Sequence, residues 1–299
     1  MHDPWPAALA NHVKVLINPA NTALSGPQRA AFPRGGPVPP PPPPEVAKGL
    51  RGWDIAGSSM DLLYPAQAVD GLVHLQGGVE LRNALMAAPI LEERANGEHV
   101  RCRVGEAVLT GSGSGANSSI SDLPFDAIVH TVPPFWPSHS PNSDWPSDWP
   151  GDIKDPASRD AWAAALRRCY TTSFDLALEF ARDAVSSGVA AGVAIATPVL
   201  GAGARGAPFA PAARVLAEAA LERFGSSDDD TYAGRAPTPA SLRVLVHPSS
   251  LGELAMVQKA LAAASDGVDA SRFTVSRPVS RSELHRSDKN HARESTCKE

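Results

Sequence analysis

The chain has 299 residues, 43% hydrophobic and 20% charged, with a net charge of -5, a balance that supports a folded core and offers no general attraction for nucleic acid. Its three cysteines, Cys102, Cys169 and Cys297, form no CxxC pair, which fits free thiols in a reducing compartment better than a disulfide frame or a zinc centre. No apolar run reaches membrane-spanning length, and the opening MHDPWPAALA has neither the basic nor the apolar part of a secretion signal, so the chain reads as intracellular, cytoplasmic or nuclear, with no membrane partner.

In chain order, HVKVLIN (12–18) is a buried-strand pattern that stops at Pro19 and Asn21. PRGGPVPPPPPP (33–44) cannot join a helix or central strand, because proline fixes φ and lacks the donor. It marks a proline-rich insertion at about 33–63, where Pro37 to Pro44 is either an SH3-like ligand or an unselected loop. Val69 to Ala87 has helical spacing, and Gly77-Gly78 predicts a split into two short helices, with Asp70 in the first turn. A strand from Cys102 to Leu109 and another from Phe125 to Val132 follow, joined by a turn at Gly111, Gly113 and Gly115.

Residues 133–157 are a Pro/Trp-rich loop that can lie over a site, and Trp136, Trp145 and Trp149 there either stack an adenine or anchor the loop. A long helix over 158–187, a strand over 193–197 and a helix over 211–224 come next. After an acidic linker at 226–239, a strand (242–247) and a helix (251–263) close the order, and 266–299 reads as a disordered tail. The alternation predicts an α/β fold, a three-layer α/β/α sandwich in a single domain over 1–265.

Two strands run into loops suited to phosphate. VLINPANTALSG (15–26) and IATPVLGAGARGAP (195–208) each end in Asn, Gly and Pro, leaving backbone N–H groups at a strand's carboxyl end, where open α/β sheets bind ligands. GAGARG (201–206) satisfies GxGxxG, but Glu218 and Glu222 fall in a helical pattern rather than at the end of a second strand, so a dinucleotide-binding unit is not indicated. The alternative for that loop is a plain tight turn. His74 and His130 read as core or supporting histidines, and neither has a Cys or His partner at metal-ligand spacing.

Taken together, NPANTALSG, AVDGLVH, FDAIVHTVPPFW, RRCYTTSFDLALEF and TPVLGAGARGAPFAPAA resemble, in this order, the motifs of the macro domain, the ADP-ribose-binding module. The resemblance implies a mixed, mostly parallel sheet of about six strands between helices, with a cleft at the strand ends that takes ADP-ribose or an ADP-ribosylated protein; no cofactor is expected, and the histidine spacing predicts no metal. It implies that Asn21 contacts the distal ribose, that Val69, Asp70 and Gly71 line the first phosphate-side loop, and that Leu200, Gly201, Ala202, Gly203, Ala204, Arg205 and Gly206 wrap the diphosphate. In the hydrolase branch of the family, an ADP-ribosyl hydrolase or O-acetyl-ADP-ribose deacetylase, Asp70 with Asn21 would be catalytic. Asp70 would activate water, its carboxyl pKa raised by the nearby diphosphate. A non-catalytic reader, or a proline-rich interaction protein with a vestigial cleft, are the alternatives. Two departures from the family pattern stand out: 48 residues separate Asn21 from Asp70, and Arg205 replaces an aromatic residue.

Overall fold

A computed structural model describes residues 9–26, 69–94, 97, 99–111, 125–136, 156–203, 205–224, 242–246, 251–264 and 273–275. The proline-rich insertion with Pro37 to Pro44, the loop positions Gly113, Gly115, Trp145 and Trp149, Ala204, and all of the tail but 273–275 lie outside the described residues. The elements in order are β1 (His12–Pro19), α1 (Val69–Met86), β2 (Glu92–Glu93), β3 (His99–Val100), β4 (Ala107–Gly111) and β5 (Ala127–Thr131). They continue with α2 (Pro156–Ser186), β6 (Gly192–Thr197), α3 (Phe209–Phe224), β7 (Leu242–Val246), α4 (Leu251–Ala264) and β8 (Phe273–Val275).

Six strands form one sheet in the order β4-β5-β1-β6-β7-β8, while β2 and β3 make a separate antiparallel pair. All neighbours in the large sheet are parallel except β4 with β5. This is the mixed, mostly parallel sheet of six strands that the resemblance implies. Because side chains alternate along a strand, β1 feeds two cores. Val13, Val15 and Ile17 face α2, α3 and α4, together with Trp162, Leu166, Tyr170, Phe174, Leu216 and Val257. Leu16 and Ile128 face the opposite layer, with Val73, Leu81 and Leu85 of α1. The three layers are therefore α1, the sheet, and α2–α4.

Three expectations change. Gly77-Gly78 does not split α1, which runs unbroken from Val69 to Met86. Leu81, one turn on in the same helix, occupies the place a Gly77 Cβ would take, and its burial against Leu16 and Ile128 of the sheet offsets the roughly 1 kcal/mol that glycine costs in a helix. Second, the strand expected from Cys102 begins only at Ala107, since residues 101–106 turn to bond the neighbouring loops: the N–H groups of Arg101 and Cys102 both reach Thr22 O, at 2.8 and 3.1 Å. Third, the sheet does not end before residue 265. Phe273–Val275 pairs in parallel with Val244–Val246 as the edge strand, a three-residue run of strand-favouring types within a charged tail.

Candidate ligand-binding crevice

The strand order fixes where a ligand can enter. From β1 the chain places β5 on one side and β6 on the other, so the loops after β1, β5 and β6 splay apart at the carboxyl edge of β1. That is the switch-point crevice at which open α/β sheets bind ligands. Hydrogen bonds hold the three loops in one frame. Ala20 N donates to Thr131 O at 2.7 Å, Trp136 N donates to Arg205 O at 2.8 Å, and Arg205 Nη2 donates to Ala20 O at 3.0 Å. The Arg205 guanidinium also lies 4.1 Å over the Phe135 ring, a cation–π contact.

The loop after β1 is tight and strained. Leu24 has φ 55°, unusual for a residue with a side chain, a conformation that costs about 1–2 kcal/mol. Asn21 holds it there: Oδ1 accepts from Ser25 N at 3.1 Å, while Nδ2 donates to Gly26 O at 2.6 Å and Ser25 Oγ at 3.3 Å. Asn21 is thus at the crevice edge with its amide engaged in shaping its own loop.

The loop after β6 turns on Gly201 and Gly206, with φ of 81° and 78°, the conformations for which glycine is favoured. Gly203 needs no such φ. Instead, a Cβ placed on it would meet no atom within 4 Å among the described residues, and Gly203 is exposed. Tyr170 supports the loop from α2, its hydroxyl accepting from Leu200 N at 2.7 Å. Leu200 itself is buried beneath the loop, and Ala202 is half-buried. The N–H groups of Ala202, Gly206 and Ala207 close on Val199 O, Gly203 O and Gly201 O. Among the described residues those of Gly201 and Gly203 have no partner.

Val69, Asp70 and Gly71 form the first turn of α1, tied to the end of β1 by the bond between Asp70 and Asn18. Asp70 is only 5% exposed. Its Oδ1 accepts from Asn18 Nδ2 at 2.7 Å and lies 3.2 Å from His74 Nε2, one helical turn on. Asn18 Nδ2 also stands 3.1 Å from His130 Nδ1, and His130 Nε2 2.9 Å from Thr110 Oγ1. Burial pushes the Asp70 carboxyl up, yet the net direction is down, because His74, the Asn18 amide and His130 together outweigh it. The raised carboxyl expected beside a diphosphate concerns the bound state; in the protein alone Asp70 is held as a carboxylate by neighbours that its sequence surroundings do not reveal. His130 moves the other way to about 3, through burial first and His74 second, against the pull of Asp70.

Sequence reading passed over Asn18 and Thr110. Both lie on strands at alternating positions that only the register brings together, Asn18 opposite His130 on one side and Thr110 opposite Ile128 on the other. Trp136, a candidate adenine platform, packs edge-on against Trp162 at 4.6 Å and is an anchor of its loop. Among the described residues no group of three or more His, Cys, Asp or Glu could hold a metal ion, and no helix is long and apolar enough to cross a membrane.

No protein-family model matches the chain. Over 91 residues it is 35% identical to O-acetyl-ADP-ribose deacetylase 2 of Pantoea vagans (strain C9-1), a stretch that is 30% of this chain and 43% of that protein. Over 82 residues it is 33% identical to O-acetyl-ADP-ribose deacetylase 1 of the same strain, 27% of this chain and 39% of that protein. The matched stretch thus spans less than half the length of these curated relatives. Among solved structures, an Oceanobacillus iheyensis macrodomain with ADP aligns over 84% of both chains at 19% identity and a TM-score of 0.42. A Trypanosoma brucei macrodomain in complex with ADP-ribose aligns over 83% of this chain and 63% of that one at 17% identity and 0.38.

Proposed function

We infer that this chain, which resembles the macro domain in its ordered motifs and matches two curated O-acetyl-ADP-ribose deacetylases over part of their length, is a macro domain that binds ADP-ribose or ADP-ribosylated ligands in the crevice where β5 and β6 part around β1. The observation that carries this reading is the loop over 198–208, whose Gly201 and Gly203 N–H groups have no partner, and whose Gly203 Cβ position no neighbour, among the described residues. Peptide N–H groups at a strand's end, with no side chain in the way, are what a diphosphate needs. Ala204, which lies outside the described residues, belongs to the same proposed cradle. Arg205 adds a positive charge beside it, half-buried and held over Phe135, and Val69 to Gly71 form the facing wall.

The test is Gly203→Val in calorimetry with ADP-ribose. Among the described residues nothing lies within 4 Å of the added Cβ, so the fold should be unaffected while the branched side chain fills the phosphate's place. A loss of about tenfold or more in affinity with unchanged melting supports the cradle. Equal affinity would make the loop an ordinary turn.

A second reading, hydrolysis of ADP-ribose conjugates, is favoured by the names of the curated relatives, both O-acetyl-ADP-ribose deacetylases. In it Asp70 and Asn21 are the catalytic pair. Asp70 has the charge a base needs, and its contacts with Asn18 and His74 are both made through Oδ1. Asp70→Ala should then slow turnover by roughly 100-fold or more while ADP-ribose affinity changes little. A wild-type protein that binds ADP-ribose and releases no acetate or protein-linked ADP-ribose is a reader.

A further inference from the structure

The buried polar residues under the crevice wall form a chain with one direction. Asn18 and His130 are register partners on adjacent parallel strands, both wholly buried, so their side chains meet on the face that α1 covers. Asn18 Nδ2 has two hydrogens and two acceptors in reach, Asp70 Oδ1 at 2.7 Å and His130 Nδ1 at 3.1 Å. His130 Nδ1 must then accept, so the ring hydrogen sits on Nε2 and is donated to Thr110 Oγ1 at 2.9 Å. Thr110 in turn donates to Ile128 O at 3.4 Å. The titratable groups facing one another here are Asp70 and His74 from α1 and His130 from β5.

We propose that the chain Thr110–His130–Asn18–Asp70 is a positioning relay, which fixes the first turn of α1 on the ends of β1 and β5 so that the crevice wall keeps its shape. His130 is a positioning residue: it acts through Asn18 on Asp70 and, through Asp70, on Val69 to Gly71. The relay has a polarity, acceptor toward Asn18 and donor toward Thr110, that a glutamine amide can reproduce and a leucine cannot. Its consequence for ligand affinity rests on the crevice reading above; its consequences for the ring and for α1 do not.

Three readouts on the full chain test it. Nitrogen-detected NMR of the histidine rings should find His130 neutral at pH 5 with its hydrogen on Nε2; a ring protonated at pH 5, or carrying hydrogen on Nδ1, overturns the relay. Amide exchange at Val73 and His74, whose N–H groups bond the carbonyls of Val69 and Asp70 in the first turn of α1, should quicken about tenfold or more in His130→Leu and return to within about threefold of wild type in His130→Gln. Should the leucine variant fail to fold, Thr110→Val, which removes only the far end of the chain, should quicken the same amides while His130→Gln leaves them alone. Unchanged exchange in folded variants overturns the proposal. ADP-ribose affinity should follow the same order, weak in Leu and near wild type in Gln. Absence of binding by the wild type counts against the crevice reading, and the ring and exchange results then decide the relay by themselves.

Discussion

The two faces of the sheet are built on opposite principles from the same strands. Toward α2–α4, Val13, Val15, Ile17, Val129, Val193 and Ile195 meet Trp162, Tyr170, Phe174 and Phe224, a non-directional contact whose strength scales with the apolar area removed from water. Toward α1, Leu16 and Ile128 give way at the strand ends to Asn18 and His130. Directed hydrogen bonds take over there, and each is worth little net but expensive to leave unmade. The apolar face sets how stable the domain is. On the relay proposed above, the polar face sets where α1 begins, and with it one wall of the proposed crevice.

That contrast can be broken most severely from the apolar side. Phe174 is wholly buried, stacked with Tyr170 at 6.0 Å and tilted against Phe224 at 4.9 Å. Phe174→Ala should lower the unfolding free energy by about 3–5 kcal/mol, read from denaturant midpoints, without altering the His130 ring signals. A change under about 1 kcal/mol would mean that this cluster is not the stabilising core.

The polar face should show itself instead through pH. His130 is pushed from 6.5 down to about 3 in the folded chain. Between those values the unfolded chain binds a proton that the native one refuses, so stability falls as pH falls, by up to about 1.4 kcal/mol per pH unit from this residue. Asp70, lowered from 3.8, has the same sign further down: its contribution is present above about 3.8 and is lost as pH drops through its lower folded value. His130→Gln should flatten the loss between pH 6.5 and 4. An unchanged slope would remove the buried neutral histidine. A smaller effect is expected where the apolar layer supports the ligand loop: Tyr170→Phe removes the acceptor of the Leu200 N–H, costing about 1–3 kcal/mol and weakening ADP-ribose binding.

How much of this could be read from the chain follows the same division. Alternation in HVKVLIN and the apolar spacing of 158–187 announce the apolar face, since periodicity is local and burial obeys it. GAGARG announces its loop for the same reason. The polar chain could not be read, because Asn18 next to Pro19 looks like an ordinary strand end and Thr110 meets His130 only through the β4–β5 register. The Gly77-Gly78 break was expected from propensity and is absent because α1 leans on the sheet along its length. β8 gave no signal, three residues being too short for any period.

The account stands or falls on what enters the crevice. Calorimetric titration of the full chain with ADP-ribose and, separately, with AMP tests it most directly. One site per chain, with ADP-ribose binding at least about tenfold more tightly than AMP, is the predicted result, because the loops after β1 and β6 should hold the second phosphate and the distal ribose. Equal affinities for the two, or no heat with either, would contradict it.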